Sequence, residues 1–437
     1  MLRPLEGSLL FLSYDYWTVG TYALHWFYKL KKQSFKFRIA TSFSAIAVIV
    51  LAADVSFSTA SFPSLLTPKS ISTLSTPRPK PVCTSPSRSQ PLAPSPSPYP
   101  HDVIKGGYWS SWLAYSLPPS SIPTSYFIHV FYAFVGIDAT SDSLSITQPD
   151  DQWMGNFTAT LHAKKPPAQA MLSIGGANSG PGTFSNMVSN GNNRAAFINS
   201  TITTARKYGF DGLDFDWEFP SNPSDMSNLS ILFKECRKAV ESEAADSGKP
   251  PLLLSAAVFF ASWFFIDTPR AYPAEAIAKY RDFVNPMCFD YHGSWDTSVT
   301  GEHALLYDKT SNISTISGIS SWIDAGVPPR KLVMGDATLW KIMGTEGPKK
   351  PCDIVAYNDE HHASVVYDGD TVSEYSYSGT DWIGYDGPTS VEKKVEYAKT
   401  NDLGGYFFWA LGYDMNWTLL AIGSIKYMGR NALLEAT

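Results

Sequence analysis

Three carboxylic acids stand at alternate positions in one short segment of the chain. Asp214, Asp216 and Glu218 alternate with apolar residues in GFDGLDFDWEFP, residues 209–220. Because side chains alternate between the two faces of a β-strand, all three acids point to one face, about 6 to 7 Å apart. Acids this close in a confined site cannot all ionise freely, so at least one pKa should rise. Glu218, the last acid and the longest side chain, is best placed to stay protonated and act as a general acid.

Two other interpretations of the acidic segment stay open at this point. An alternating strand is often the solvent face of an antiparallel sheet. Clusters of Asp and Glu also bind Ca²⁺ or Mg²⁺. Asp211 is out of phase with the other three acids, so we expect it to support the start of the strand rather than the chemistry.

Eight short, β-rich apolar runs alternate with longer, more polar segments, and the acidic strand is one of them. They span residues 103–109, 128–134, 168–174, 210–217, 252–259, 283–289, 331–334 and 405–410. This alternation is typical of βα units with buried parallel strands. A doubly wound sheet would more usually show a glycine-rich phosphate loop after its first strand, and none is present there. The pattern predicts an α/β fold, a (β/α)₈ TIM barrel, whose active site lies at the C-terminal mouth.

Composition divides the chain into three parts. Residues 1–55 carry basic residues ahead of a short apolar run, which indicates a signal peptide, with an uncleaved signal anchor as the alternative. Residues 56–100 are dominated by Ser, Pro and Thr and should form a disordered linker. Residues 101–437 hold the barrel. Within them, about residues 335–382 are rich in Tyr, Asp and Gly and predict a small α+β insertion after the seventh strand.

Charge and cysteine content narrow the classes of function. The formal net charge is -6 with no basic stripe, which argues against nucleic-acid binding. The four cysteines show no CxxC pair and no metal-like spacing with His, so they indicate neither a cysteine–histidine metal site nor a disulfide framework. A bridge between Cys236 and Cys352 is not expected either. The sequence also contains five N-x-[ST] triplets, which are N-glycosylation acceptors in exported proteins and therefore agree with export. They begin at Asn156, Asn199, Asn228, Asn312 and Asn416.

Four motifs together resemble one enzyme family. DGLDFDWE, residues 211–218, resembles the DxxDxDxE signature of glycoside hydrolase family 18. SIGG (173–176) is similar to that family's SxGG motif, and MCFDYHG (287–293) and YFFWALGYD (406–414) follow in the expected order. WIGYDG (382–387) and SYSGTDW (376–382) resemble plant class V chitinases in particular. The resemblance implies a TIM-barrel enzyme that hydrolyses β-1,4-N-acetylglucosamine linkages in chitin or chitooligosaccharides, with no metal or other cofactor.

The resemblance also implies roles for the motif residues. Catalysis would be substrate-assisted and retaining, with Glu218 as acid and then base, Asp216 orienting the acetamido group, and Asp214 sharing a proton with Asp216. Trp409 would form the floor under the sugar at the cleavage point. The other sugar-pocket positions would be Met287, Phe289, Asp290, Tyr291 and Tyr108. The structural positions of the motifs would be Asp211, Ser173, Gly175 and Gly176.

Two departures from the family pattern bear on activity. Phe289 stands where the family usually has a Tyr whose hydroxyl contacts the acetamido group, so a hydrogen bond worth about 1.5 to 3 kcal/mol is lost unless Tyr291 replaces it. Residues 332–350 differ from the family's Gly-x-Pro-[Leu/Phe]-Tyr-Gly stretch and predict a shortened lobe. The alternative function is therefore a chitin-oligosaccharide-binding lectin with weak or no turnover.

The expected setting follows from the same features. We expect a monomer in the extracellular space or the secretory pathway, including the vacuole, whose partner is a chitin-type carbohydrate. A protein tethered to the membrane through its N-terminal segment is the alternative.

Overall fold

The computed structural model describes residues 103–265, 268–293, 296, 300–337, 341–343 and 351–428. The predicted N-terminal segment (1–55) and linker (56–100) lie outside the described residues, as do 338–340 and 344–350 of the predicted lobe. Among the helices in these described ranges, none is both long and apolar enough to cross a membrane.

Eight parallel strands form the central sheet. They are β1 (Ile104–Ser110), β2 (His129–Ile137), β3 (Gln169–Gly175), β4 (Gly212–Asp216), β5 (Leu253–Phe259), β6 (Asn285–Met287), β7 (Val333–Ala337) and β8 (Gly405–Leu411). Neighbours follow chain order from β1 to β6, and β8 lies between β7 and β1. A parallel bridge between Val284 and Leu332 joins the remaining edges and nearly closes the sheet. The predicted (β/α)₈ barrel is confirmed.

Helices follow the strands along the chain. In the described ranges they are α1 (Gln148–Ala163), α2 (Pro181–Val188), α3 (Gly191–Tyr208), α4 (Pro223–Ser247), α5 (Ala274–Tyr280), α6 (Thr315–Asp324), α7 (Pro351–Glu360), α8 (Pro388–Thr400) and α9 (Thr418–Met428). Two short antiparallel additions accompany them. One is Leu144–Ser145 beside β2, and the other pairs Trp263–Phe264 with Arg270–Ala271 after β5.

Local signals fix where these helices begin and end. Thr147 and Asp150 form a capping box at the start of α1, and the Asn222 side chain accepts a backbone N–H at the start of α4. Gly209, with φ of 79°, ends α3 in the left-handed conformation that glycine adopts at little cost. The chain therefore leaves α3 and enters the acidic strand β4 within three residues.

Alternate side chains of the strands pack into two separate cores. Leu213, Phe215 and Trp217 belong to the outer core, between the barrel and its helices. The inner core fills the barrel with Tyr108, Phe131, Met171, Phe283, Phe289, Val333 and Phe407, among others. Because the apolar residues of β4 point outward, Asp214 and Asp216 point inward, as the period of two predicts.

Between β7 and α8 the chain forms a lobe outside the barrel. Helix α7 accompanies an antiparallel sheet with strands in the spatial order Lys341–Met343, Asp381–Tyr385, Ser373–Ser378 and Ser364–Asp368. A small core of Ile354, Tyr357 and Ile383 joins helix and sheet. That this lobe is shortened relative to the family stays a prediction.

Two strand ends differ from the sequence prediction in places that matter for the site. β4 ends at Asp216, so Glu218 lies in the loop after the strand rather than on it. β6 covers only Asn285–Met287 instead of residues 283–289. Asp290, with φ of 60°, turns the chain away from the strand direction immediately afterwards.

Candidate active site

Asp214 is held inside the barrel by three hydroxyl groups. Ser173 donates to its Oδ2 at 2.7 Å and Ser255 donates to its Oδ1 at 2.7 Å. Both serines lie directly opposite Asp214 in the parallel register of the adjacent strands. Tyr108 of β1 also donates to Oδ2, at 2.9 Å, and accepts a hydrogen bond from Asn285 Nδ2 at 2.9 Å. Asp214 is thus fixed in one orientation with both oxygens satisfied.

Asp216, two residues closer to the mouth, has a different environment. Burial raises its pKa well above the ordinary value, and the neighbouring Glu218 and Asp214 raise it further. Burial also raises the pKa of Asp214, but its three hydroxyl donors oppose that shift because they stabilise the ionised form. Asp216 Oδ1 has no hydrogen-bond partner among the described residues. Asp216 is therefore the acid of the pair that holds a proton more readily.

Small neighbours make room for the acidic strand. Gly175 on β3 and Ala257 on β5 lie opposite Asp216. Gly175 has φ of 118°, and a Cβ there would lie 2.0 Å from the Asp216 carbonyl oxygen. Gly176 donates its backbone N–H to the same carbonyl at 2.9 Å, and a Cβ on it would lie 2.7 Å from the Phe134 ring. The glycines of the SIGG motif thus permit the close approach of β3 to β4.

Glu218 lies half-buried in the loop that follows β4, at the C-terminal mouth of the barrel. It is close enough to Asp216 to contribute to the raised pKa of that residue. Tyr272, buried after β5, lies near both carboxylates, and they add to a pKa that burial already raises. A carboxyl group at the mouth, beside a buried acid, is in the position from which a general acid can reach a bound substrate.

Aromatic rings line the mouth next to the acids. Trp409, half-buried near the end of β8, stacks on Phe134 with ring centroids 5.5 Å apart and an interplanar angle of 28°. The Trp112 side chain, 45% exposed, lies 6.4 Å from each of these two rings. We call Trp409, Phe134 and Trp112 the aromatic floor. Rings of this kind pack against the CH faces of sugars.

The end of β6 and the segment that follows it supply the other predicted pocket residues. Met287 is half-buried at the inner core, and Asp290 is exposed at the mouth. Phe289 belongs to the inner core, with its ring centroid 6.1 Å from that of Phe407. Phe289 therefore presents an apolar wall at this position.

Tyr291 requires a correction. Its ring packs against Phe260 in the outer core, with centroids 4.8 Å apart, and its hydroxyl forms a hydrogen bond with Thr315 Oγ1 at 3.1 Å. The turn at Asp290 puts Tyr291 out of phase with Phe289. Tyr291 therefore does not line the sugar pocket, and it cannot supply the hydroxyl that Phe289 lacks.

Tyr108 and Asp211 form hydrogen bonds that hold the acidic strand in place. Tyr108 is 2% exposed, so the prediction that it contacts the sugar is wrong; its hydroxyl is used to hold Asp214. Asp211 accepts the backbone N–H of Ala170 at 2.7 Å and lies 2.8 Å from His162 Nε2. Asp211 therefore contacts β3 and α1 at the entry of the strand.

Four residues of the site are missing from the sequence prediction. Ser255 donates a hydrogen bond to Asp214, and Asn285 donates one to Tyr108. Phe134 and Trp112 belong to the aromatic floor. Ser255 and Asn285 each interrupt an otherwise apolar strand, and a lone polar residue in a buried strand is a readable signal. The two rings carried no such signal, because aromatic residues are abundant throughout this chain.

Metal-binding geometry is absent from the described residues. No group of three or more His, Cys, Asp or Glu side chains in these ranges could hold a metal ion. Cys236 and Cys288 are buried and free.

Comparison with known proteins places these features in one family. The model of "Glycosyl hydrolases family 18" matches residues 105–414. A class V chitinase of Lotus japonicus is 45% identical over 337 residues, covering 72% of this chain and 84% of that protein. The crystal structure of a class V chitinase from Nicotiana tobaccum in complex with NAG4 has a TM-score of 0.69 and 35% identity, covering 75% of this chain and 99% of that one.

Another solved structure of comparable similarity is an agglutinin rather than a chitinase. A chitinase-like agglutinin from Robinia pseudoacacia has a TM-score of 0.67 and 37% identity, covering 74% of this chain and 100% of that one. The matched residues 105–414 nevertheless include Asp214, Asp216 and Glu218, all intact. The chain therefore belongs to family 18 of the glycosyl hydrolases and is a glycoside hydrolase of the chitinase type.

Proposed function

We propose that the protein hydrolyses β-1,4 linkages between N-acetylglucosamine units of chitin or chitooligosaccharides, with retention at the anomeric carbon. The substrate class is supported by the relatives named chitinases and by the NAG4 complex of the tobacco enzyme. The observation that carries the mechanism is the placement of Glu218 at the mouth beside a buried Asp216 whose Oδ1 has no partner in the described chain.

The first step breaks the glycosidic bond. Glu218 donates its proton to the departing oxygen while the acetamido carbonyl oxygen of the sugar attacks its own anomeric carbon, forming an oxazolinium ion. Asp216 accepts the acetamido N–H with its unpartnered oxygen and stabilises the positive charge that develops. Asp214, held by its three hydroxyl donors, stays ionised, so the pair of acids carries one proton and one negative charge at that moment.

The second step restores the enzyme. Glu218, now a carboxylate, takes a proton from water as the water oxygen attacks the anomeric carbon and opens the oxazolinium ring. Because the anomeric carbon is inverted twice, the product keeps the β configuration. The aromatic floor, through Trp409, holds the sugar ring in place during both steps.

Phe289 limits the rate of this reaction. An aromatic hydroxyl at this position would donate a hydrogen bond to the acetamido group as charge develops there. Its absence costs about 1.5 to 3 kcal/mol of transition-state stabilisation, or roughly 10- to 150-fold in rate.

The experiment compares hydrolysis of a chitin hexamer by the protein and by three variants. Glu218→Gln and Asp216→Asn should each lower kcat by about 100-fold or more, because each removes a group that acts in the transition state. Asp211→Asn is the matched control, since this acid of the same segment bonds to His162 and Ala170 outside the site. A Glu218→Gln variant with the kcat of the unmodified protein would refute the proposal.

A lectin that binds chitin oligosaccharides is the second candidate. It is favoured by Phe289 and by the 37% identity to the Robinia agglutinin. Calorimetric titration with the hexamer distinguishes the two functions. Tight binding with no cleavage over hours, by both the unmodified protein and Glu218→Gln, would establish the lectin.

We also propose that the chain is a monomer. Its entry into the secretory pathway is proposed on the basis of its N-terminal basic and apolar residues and its N-x-[ST] triplets. Fractionation of expressing cells tests this. Release of a shortened protein into the medium or vacuole is expected, and an uncleaved protein in the membrane fraction would support a signal anchor instead.

A further inference from the structure

A cluster of three charged side chains is buried behind the site, on the outer side of β7. Lys394 of α8 forms hydrogen bonds to both carboxylate oxygens of Asp386, which lies two residues before that helix. Asp336 of β7 lies 3.9 Å from the same ammonium group. The side chains of all three are at most 2% exposed. Two carboxyl groups therefore face one ammonium group out of contact with water.

Asp336 is the carboxyl group of the cluster that lies farther from Lys394. Neither of its oxygens meets full hydrogen-bond geometry within the described part of the chain, although Asp386 and the Ala337 backbone N–H lie close enough to affect its pKa. Burial, and then the neighbouring Asp386, raise its pKa well above the ordinary value, while Lys394 opposes this shift. Tyr406 of β8 and Cys288 after β6 also face Asp336. With a proton on Asp336, the cluster is electrically balanced as one ion pair and one neutral acid.

The backbone on either side of Asp336 forms part of the site. A Cβ on Gly335 would lie 3.0 Å from the Phe289 ring, so β7 already touches that residue. Ala337 pairs with Trp409 in the parallel register of β7 and β8. Asp336 thus lies between one residue that approaches a wall of the sugar pocket and one that pairs with the aromatic floor.

The cluster also connects the lobe to the barrel. The lobe strand Asp381–Tyr385 runs directly into Asp386. A second buried contact lies beside it, where Glu374 of the lobe accepts the backbone N–H of Ser390 in α8 at 3.1 Å. The ion pair thus lies where β7, α8 and the lobe meet.

We propose that Lys394, Asp386 and Asp336 are positioning residues for the hydrolysis, holding the end of β7 so that Phe289 and Trp409 keep the geometry of the sugar pocket. This inference rests on the proposed function. It assigns to the cluster an effect on kinetics in addition to its effect on stability.

The first test uses Lys394→Met with Lys105→Met as its control. Lys105 is a second buried lysine, at the opposite end of the barrel, bonded to the Ser125 carbonyl and the Ser424 hydroxyl. Both variants should melt at lower temperature. Below those melting temperatures, Lys394→Met should lose on the order of 10- to 100-fold in kcat/KM for a chitin hexamer, the size of effect that misplaced pocket residues produce, while Lys105→Met keeps the original value. Equal kcat/KM in the two variants would overturn the proposal.

The second test uses Asp336→Asn, which keeps the shape of the side chain and removes its ionisation. The unmodified protein should lose kcat/KM as rising pH ionises Asp336 and disturbs β7, and Asp336→Asn should lack this part of the decline. An unchanged pH profile would overturn the proposal even where Lys394→Met does not fold.

The same variants separate this inference from the proposed function. A protein with no turnover would refute the proposed hydrolysis. The positioning role would still be judged by the Kd for a tetramer of N-acetylglucosamine, which Lys394→Met should weaken and Lys105→Met should not.

Discussion

The hydroxyl of Tyr108 can be used to test whether the hydrogen bonds to Asp214 matter for catalysis. It donates to Asp214 at 2.9 Å and accepts from Asn285 at 2.9 Å. Tyr108→Phe removes this oxygen alone, because the ring stays stacked on Phe131 with centroids 4.4 Å apart. Asp214 then keeps only two of its three hydroxyl donors, those of Ser173 and Ser255.

The magnitude follows from the charge on the acceptor. A hydrogen bond to a charged group is worth about 1.5 to 3 kcal/mol, so kcat/KM should fall by roughly 10- to 150-fold if Asp214 must be ionised for catalysis. Losing a donor disfavours the carboxylate, which raises the pKa of Asp214 beyond the value that burial already gives it. The acidic limb of the kcat/KM profile should therefore move to higher pH.

Tyr132→Phe provides the matched control. Its hydroxyl donates to Asp150 at 2.9 Å, a buried tyrosine–aspartate bond of the same length in the outer core. The assay is the pH profile of kcat/KM with a chitin hexamer, together with the melting temperature. We expect both variants to lose a similar amount of stability. Only Tyr108→Phe should also lose activity. If both variants kept the original profile, the role assigned to Asp214 and its donors would be refuted.

Three further predictions concern the same site. Phe289→Tyr should raise kcat toward the hexamer by about tenfold or more, because it restores a donor to the acetamido group, and an unchanged or lower kcat would contradict this. Gly175→Ala should yield little soluble protein, since its Cβ would lie 2.0 Å from the Asp216 carbonyl oxygen, whereas Gly136→Ala, with open space around its Cβ, should express normally. Asp216, whose pKa is raised by folding, contributes stability that is complete below about pH 3.8 and is lost as pH rises through its folded pKa. The melting temperature should therefore fall less with rising pH in Asp216→Asn than in the unmodified protein, and parallel curves would contradict the raised pKa.

The barrel and the direction of the acids were predictable because both depend on local periodicity. Runs of apolar residues mark buried parallel strands, and the alternation around Asp214 and Asp216 fixes which face they occupy. Gly175 and Gly176 could be assigned a packing role because only small residues allow two strands to approach closely.

The errors came from residues whose position depends on contacts distant in the chain. Tyr291 was assigned by its place in a motif, but the left-handed Asp290 turns the chain and sends Tyr291 to Thr315 in the outer core. Tyr108 bonds to a residue 106 positions away, across the barrel. The buried cluster around Lys394 was invisible for the same reason, since its members come from β7, from α8 and from the turn between the lobe and that helix.

The most direct test of the central claim is the anomeric form of the first products, followed by proton NMR during hydrolysis of the chitin hexamer. If Glu218 acts as acid and then base in a substrate-assisted reaction, new reducing ends should appear first as the β-anomer, and Glu218→Gln should produce none on the same timescale. New ends that appear first as the α-anomer, or β-anomer formed at the original rate by Glu218→Gln, would contradict the account.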